Sequence, residues 1–304
     1  MSRQEPRPEP TIIGELADPP FVRLPDPLRL FVDRALRLRA LAAGSELGPY
    51  LRFVADLAEL QYRIQDELPE PALPDAATLA LARAHAMPPL AAAILPADPA
   101  LAATLACLLD AAADIPQPAL AAAALAKVRG TDADRRAAML HAVLARAVPA
   151  DALAEHVYLA AALQVQLARL AARLDAKALV PVGDGICPAC GGPPVSSLVV
   201  GWRGAHGVRF CACALCGTLW HHVRIKCALC GSTKGIGYQE IAGGDGAIKA
   251  ETCDGCHSYV KVLYQTRRAD LDPVADDIAS LGLDLLMRQG DYQRGGFNPF
   301  LLGY

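Results

Sequence analysis

From Leu28 the apolar residues Leu28, Phe31, Val32, Ala35, Leu38 and Leu41 recur every three or four positions, the spacing of one helix face. Asp26-Pro27 precedes them as a cap residue followed by a proline at the first helical position, and Gly44 follows as a stop. Leu51, Val54, Leu57, Leu60 and Ile64 repeat the pattern and predict a second helix over 49–68. Alanine-rich stretches predict further helices over 75–86, 98–113, 116–128 and 131–147, with a long one over 150–178. Alanine has the best helix propensity and lets helices approach closely. His85, His141 and His156 occur singly on these helices and read as packing or surface residues. Ahead of them, residues 1–27 hold Pro6, Pro8, Pro10, Pro19, Pro20, Pro25 and Pro27, which predicts an extended arm that packs on the surface or stays mobile.

After Leu179 the pattern changes. Pro181, Gly183, Gly185, Pro188, Gly191, Gly192, Pro193 and Pro194 cluster at a domain boundary. Short strands are predicted over 195–200, 208–210, 238–241 and 259–264, with Gly243-Gly244-Asp245-Gly246 as a hairpin turn. Helix returns at Asp272-Pro273 and runs to Arg288, packing through Ile278, Leu281 and Leu285. Asp276 and Asp277 at its start fit the favourable end of the helix dipole. The ending Gly295-Gly296-Phe297-Asn298-Pro299-Phe300-Leu301-Leu302 is apolar enough that it must dock on its own protein or on a partner.

Composition narrows the class. With 53% hydrophobic and 20% charged residues the chain can bury a core, which excludes an intrinsically disordered protein. The N-terminus carries acids and prolines where a signal peptide needs an apolar run, so a cytoplasmic chain is expected. The most apolar region, 88–128, is cut by Pro96, Asp98, Pro99, Asp110, Asp114, Pro116 and Pro118, and no membrane span is expected. Net charge is −3, and over 187–264 seven Lys/Arg face four Asp/Glu, too small a surplus to argue for nucleic acid. No Walker loop, dinucleotide fingerprint or nucleophile–base motif is present, and no catalytic role is expected.

The chemistry lies in the cysteines. Of ten, nine fall between Cys187 and Cys256, and eight of those form four C-x-x-C pairs: Cys187/Cys190, Cys213/Cys216, Cys227/Cys230 and Cys253/Cys256. Adding 40 to the first four positions gives the other four, so one C-x-x-C…C-x-x-C unit is written twice in tandem. Two such turns aim four sulfurs at one point, the tetrahedral set that suits zinc or a single iron. One metal per repeat is expected, because each repeat then closes its own site. Spacing does not separate the two metals, although Cys187-Pro188-Ala189-Cys190-Gly191 looks like a rubredoxin knuckle and leans toward iron. A glycine follows Cys190, Cys216 and Cys230, whereas Cys253-Asp254-Gly255-Cys256-His257 moves it inside, predicting a different, more open knuckle. Cys211 reads as a buried free thiol rather than a substitute ligand. Between the repeats, Trp220-His221-His222-Val223-Arg224-Ile225-Lys226 is either a joining strand with Trp220, Val223 and Ile225 packed, or a recognition surface.

The fold class that follows is α+β and multidomain: an all-α N-terminal domain, two tandem rubredoxin-like or zinc-ribbon modules, and a C-terminal helix. The divisions expected are an arm over 1–27, a helical domain over 28–180, modules over 181–225 and 226–268, and a helix and tail over 269–304.

These residues resemble one family, the formate dehydrogenase accessory (formation) proteins, FdhE. The resemblance rests on CPACG at 187–191, CALCGTLWHHVRIKCALCG at 213–231, AETCDGCHSYVK at 250–261, DPVADDIASLGLDLL at 272–286 and NPFLL at 298–302, with FVRLPDP at 21–27. It covers most of the chain and is specific over 187–302. It implies a cytoplasmic maturation factor needed for active formate dehydrogenase, binding the catalytic subunit as its partner, with no catalysis of its own. It implies two iron sites, zinc being the alternative, with Cys187, Cys190, Cys213, Cys216, Cys227, Cys230, Cys253 and Cys256 as metal ligands. A nucleic-acid-binding zinc ribbon and a thiol or iron redox enzyme are the rival readings.

Overall fold

The computed structural model describes residues 19–91 and 98–303, so most of the proline-rich arm and Pro96 lie outside the described residues. The helical half follows the apolar periodicity. Helix α1 (Pro27–Ala42) starts where the Asp26 carboxylate accepts the Leu28 and Arg29 N–H groups, and it packs antiparallel on α2 (Gly48–Arg63). Gly44 takes φ +73° beyond the end of α1, a conformation costly for residues with a Cβ. Helices α3 (Ala76–Ala84), α4 (Pro99–Ala111), α5 (Ala119–Arg129) and α6 (Ala133–Leu144) lead to α7 (Leu153–Ala172). That last helix is buried along almost its whole length, with α2, α4, α5 and α6 packed around it. Alanine on α7 makes this close approach possible: Ala160, Ala161, Ala162, Ala168 and Ala171 are all fully buried.

The second half forms seven strands of an eight-stranded sheet whose first strand comes from the N-terminus: β1 (Val22–Arg23), β2 (Pro194–Val199), β3 (Arg209–Cys213), β4 (Leu219–His221), β5 (Ile236–Gln239), β6 (Ile248–Cys253), β7 (Ser258–Tyr264) and β8 (Gln293–Arg294). The order is β1-β4-β3-β2-β7-β6-β5, with β8 on β7. The 40-residue duplication is visible in the register, because Phe210 opposes His221 in one copy and Ala250 opposes Lys261 in the other. Each copy is an antiparallel three-stranded meander. The parallel pair β2–β7 joins the two meanders edge to edge.

Several expectations change here. The arm ends as a strand: Val22 is buried and pairs with Trp220 of β4. Strand β6 was not expected, because its sequence IKAETC lacks apolar alternation. Its Glu251 is instead buried in a two-pronged ion pair with Arg209 of β3, at 2.7 and 2.8 Å. The helix expected over 273–288 breaks into α8 (Ala275–Ala279) and α9 (Leu281–Met287). The Lys261 ammonium from β7 reaches the carbonyls of Asp277 and Ser280 at this break, at 2.8 and 3.2 Å. The helix dipole is also too small a reason for Asp276 and Asp277, which are fully buried. Asp276 receives the Arg37 guanidinium of α1, and Asp277 meets Lys261, Arg294 and Asn298. The chain end docks on its own protein: Phe300 and Leu301 are buried, and Phe297 N–H donates to the Pro194 carbonyl.

Candidate metal centres

Each C-x-x-C turn is shaped by backbone hydrogen bonds. Cys187 N–H donates to the Gly192 carbonyl at 2.9 Å, and Gly191 N–H returns to the Cys187 carbonyl at 2.9 Å. The second copy repeats both, Cys227 to Ser232 at 2.8 Å and Gly231 to Cys227 at 3.1 Å. The turn closes through the left-handed region at Gly191 (φ +78°), Gly217 (φ +74°) and Gly231 (φ +72°). A Cβ at Gly217 would also stand 2.7 Å from the tip of the Leu30 side chain, which would have to turn aside. The fourth turn keeps the same backbone corner but is more open, as expected, with Asp254, Gly255 and His257 exposed. His257 occupies the matching position at φ +49°, exposed to solvent, so a non-glycine residue accepts the cost of that conformation.

These turns bring all eight cysteines into two groups of four, Cys187/Cys190/Cys213/Cys216 and Cys227/Cys230/Cys253/Cys256, each with its sulfurs within 4.8 Å of one another. The grouping is sequential, one per repeat. Sγ–Sγ separations are 3.6 Å for Cys187–Cys216 and 3.4 Å for Cys190–Cys213. In the second group they are 3.8 Å for Cys227–Cys256 and 3.7 Å for Cys230–Cys253. A metal–sulfur bond of about 2.3 Å in a tetrahedron sets sulfurs about 3.8 Å apart, so both groups fit zinc or a single iron. Backbone N–H groups point at the sulfurs, from Gly192 to Cys190 and from Leu215 to Cys213 at 3.4 Å, and from Leu229 to Cys227 at 3.4 Å. Such donors stabilise thiolates.

Burial works against charge in the first group. Desolvation pushes the Cys187 thiol well above its ordinary range, whereas at Cys216 hydrogen bonding with the other three cysteines and with Thr218 outweighs burial and holds it below. Four anionic sulfurs cannot share a dry site unaided, and a metal cation would supply the missing charge. The groups differ in exposure. All four sulfur-bearing residues of the first are buried, while in the second Cys230 is exposed and Cys256 half-buried.

Cys211 stands in neither group; burial pushes its thiol up to about 12. Cys107 is half-buried on α4, its sulfur 3.8 Å from a Glu67 oxygen. His85 and His141 are exposed and His156 is buried with Nδ1 at 2.6 Å from the Ala152 carbonyl, so the single histidines stay apart from both groups. In the segment between the repeats Trp220 is packed, but Val223 and Ile225 are exposed, 50% and 70%. His222 is buried there and donates to the Lys226 carbonyl at 3.0 Å.

The Arg209–Glu251 pair beside the groups was missed from the sequence. Arg209 also donates to the Ser197 hydroxyl at 3.0 Å, and the Tyr238 hydroxyl donates to Glu251 at 2.9 Å. The available signal was a break in the repeat: Glu251 stands 40 residues after Cys211, a charge where the other copy has a thiol. Among the described residues, no helix is long and apolar enough to cross a membrane.

Family models match nearly the whole chain: FdhE, N-terminal, over residues 19–184; FdhE, central domain, over 186–224; and FdhE, C-terminal domain, over 225–301. A protein FdhE homolog of Rhizobium meliloti is 48% identical over 306 residues, covering 100% of both chains. Protein FdhE of Escherichia coli is 37% identical over 277 residues, covering 90% of this chain and 88% of its own. The crystal structure of the FdhE protein from Pseudomonas aeruginosa superposes with a TM-score of 0.82 at 35% identity, covering 93% of this chain and 99% of that one.

Proposed function

This chain belongs to the FdhE family, and from that premise we propose that it is a cytoplasmic accessory factor required for active formate dehydrogenase. In this reading it binds the catalytic subunit of that enzyme before the enzyme is complete, and it catalyses no reaction itself. The observation that carries the reading is the pair of four-sulfur groups, spaced for a tetrahedral metal and set on one sheet fused to a helical domain. The ligands proposed are Cys187, Cys190, Cys213 and Cys216 for one metal, and Cys227, Cys230, Cys253 and Cys256 for the other.

Iron is the metal proposed, on the rubredoxin-like knuckle at 187–191 and the family resemblance. Bound iron would supply one-electron redox chemistry, whereas zinc would supply structure alone. The chain's own part is to present eight thiolates and to keep backbone donors aimed at them. Its domains in this reading are the helical unit over 28–180, the modules over 181–225 and 226–268, and the helix and tail over 269–304.

The test is retention of the formate dehydrogenase catalytic subunit on the immobilised full-length chain. A variant with one C-x-x-C pair changed to A-x-x-A is run beside it. Capture by the unaltered chain, weakened in the variant, is the expected result; failure of both to retain the subunit removes the accessory reading. Visible thiolate-to-iron absorption that bleaches on reduction is expected of the purified protein, and a colourless protein carrying stoichiometric zinc would overturn the choice of iron.

A further inference from the structure

The duplicated modules carry the same four-cysteine plan, yet the molecule treats them differently. Helices clamp the first. The Leu90 N–H, beyond α3, donates to the Ala189 carbonyl at 3.0 Å, inside the first knuckle. Gln164 of α7 donates to the Ala214 carbonyl at 2.8 Å, inside the second. Gln164 is itself held by Gln61 of α2 at 3.0 Å, so a buried amide chain ties two helices to the metal turn. Pro88 lies against Gly191 and Leu30 against Gly217, covering both glycine corners. A cleft of about 690 Å³ beside α1 has Cys213 on its wall, but that residue is only 2% exposed. The sulfurs are closed to solvent.

Forty residues on, the matching positions are open. Ala214, 1% exposed, corresponds to Asp254, which is exposed; Ala189, fully buried, corresponds to half-buried Leu229. Among the described residues, no helix of the N-terminal half donates to these turns; what holds them comes from neighbouring loops. Lys226 pairs with Asp184 at 3.2 Å, and the Tyr292 hydroxyl donates to Asp254 at 2.6 Å, both at the surface. Cys230 is therefore exposed, Cys256 half-buried, and Gly255 and His257 between and beside them are exposed.

We infer that the two sites have unequal roles: the first is a closed fastening between helical domain and sheet, and the second gives up its metal to chelating ligands from solution through Cys230 and Cys256. The inference rests on the metal-binding reading above. Exchange at a four-thiolate site needs an incoming donor to approach a sulfur and take its place, and only the second site has sulfur-bearing residues that such a donor can reach. With a metal bound, Cys230 would be the thiolate most open to replacement: an incoming donor would take its place on the metal, and the freed thiolate would be protonated by the buffer. At the first site the same step requires the helices to separate from the sheet, an opening much closer to global unfolding.

The test uses the full-length protein loaded with zinc at both sites, because zinc removes oxidation from the experiment. A chromogenic chelator, 4-(2-pyridylazo)resorcinol, is added and zinc release followed by absorbance. Two phases of equal amplitude are expected, the faster by about tenfold or more. Brief iodoacetamide treatment with peptide mass mapping is expected to mark Cys230 and Cys256 before any of Cys187, Cys190, Cys213 and Cys216. In Cys230→Ser the fast phase should be lost or accelerated beyond the mixing time while the slow phase keeps its rate and helical circular dichroism is unchanged. A single release phase, or alkylation of the first four cysteines at the same rate as Cys230, overturns the inference while leaving metal binding intact. Protein that retains no zinc and no iron at either site overturns the metal reading and the inference together.

Discussion

Arg209 and Glu251 show what a single residue contributes in this molecule. Both are 1% exposed, and their two-pronged contact joins β3 of the first module to β6 of the second. Burial alone would lower the proton affinity of the Arg209 guanidinium, but Glu251 reverses this and raises it, so the guanidinium keeps its charge inside the sheet. A buried pair contributes little relative to a well-packed apolar pair, but removing one partner strands the other charge and costs about 3–5 kcal/mol. Glu251→Gln is therefore expected to lower unfolding stability by that order, measured by urea titration, whereas Arg209→Met with Glu251→Met should recover most of it. A single substitution that changes the midpoint by less than the error of the titration would show that Tyr238 and Ser197 alone satisfy the site. The two cysteine groups were legible at this scale because each pair is local and its partner pair repeats at a fixed offset. The ion pair was not, because nothing local says that a charge in a strand points inward at another charge 42 residues away.

Among the elements, the knuckle is the unit that sequence describes best. Its glycines announce the left-handed corner, and the structure puts Gly191, Gly217 and Gly231 there. The fourth knuckle, more open as expected, was misread in its backbone: the glycine inside Cys253–Cys256 suggested another geometry, yet His257 adopts the corner at φ +49°. Backbone closure by the metal turn outweighs the local preference of histidine, at a cost of about 1–2 kcal/mol. His257→Gly is expected to recover about 1 kcal/mol of that cost and raise the melting temperature of the metal-loaded protein. Gly217→Ala should lower it, because the new methyl meets both a positive φ and the Leu30 side chain. An unchanged or lower melting temperature for His257→Gly would mean that the imidazole makes a compensating contact. The helices were legible for the opposite reason, their periodicity being self-contained, and the boundaries of α1 follow from Asp26 and Gly44. Strands β1 and β6 were not, since a two-residue strand has no period and β6 hides its charges by ion pairing.

At the scale of the whole molecule, the tail is fastened to the sheet by charge. Lys261 of β7 and Arg294 of β8 converge on Asp277 and Asp284 of the broken C-terminal helix, and Asn298 of the docked ending donates to Asp277 at 2.8 Å. The pattern of apolar residues foretold that the ending must dock, but not where, because the cluster gathers residues from four separate stretches of chain. Burial by itself would raise the Asp277 carboxyl; Lys261 and Arg294 more than offset it and hold the group below the usual carboxylate range. The folded state thus binds this proton less readily than the unfolded chain, whose aspartates titrate near pH 4. The stability from this carboxylate is complete above about that pH and is lost as the pH falls through the lower folded-state value. Burial pushes the neighbouring Asp276 carboxyl up, which offsets part of this loss on acidification, but the tail should still loosen before the alanine-rich helices, where among the described residues Glu155 is the one buried carboxylate. The measurement is hydrogen exchange resolved by segment: as pH falls below about 4, after correction for intrinsic rates, protection over 275–303 should fall before that over 153–172. In Asp277→Asn the tail should already be less protected at neutral pH and should change less on acidification. Simultaneous loss of protection in both segments of the unaltered protein would show that the tail and the helical half open as one cooperative unit.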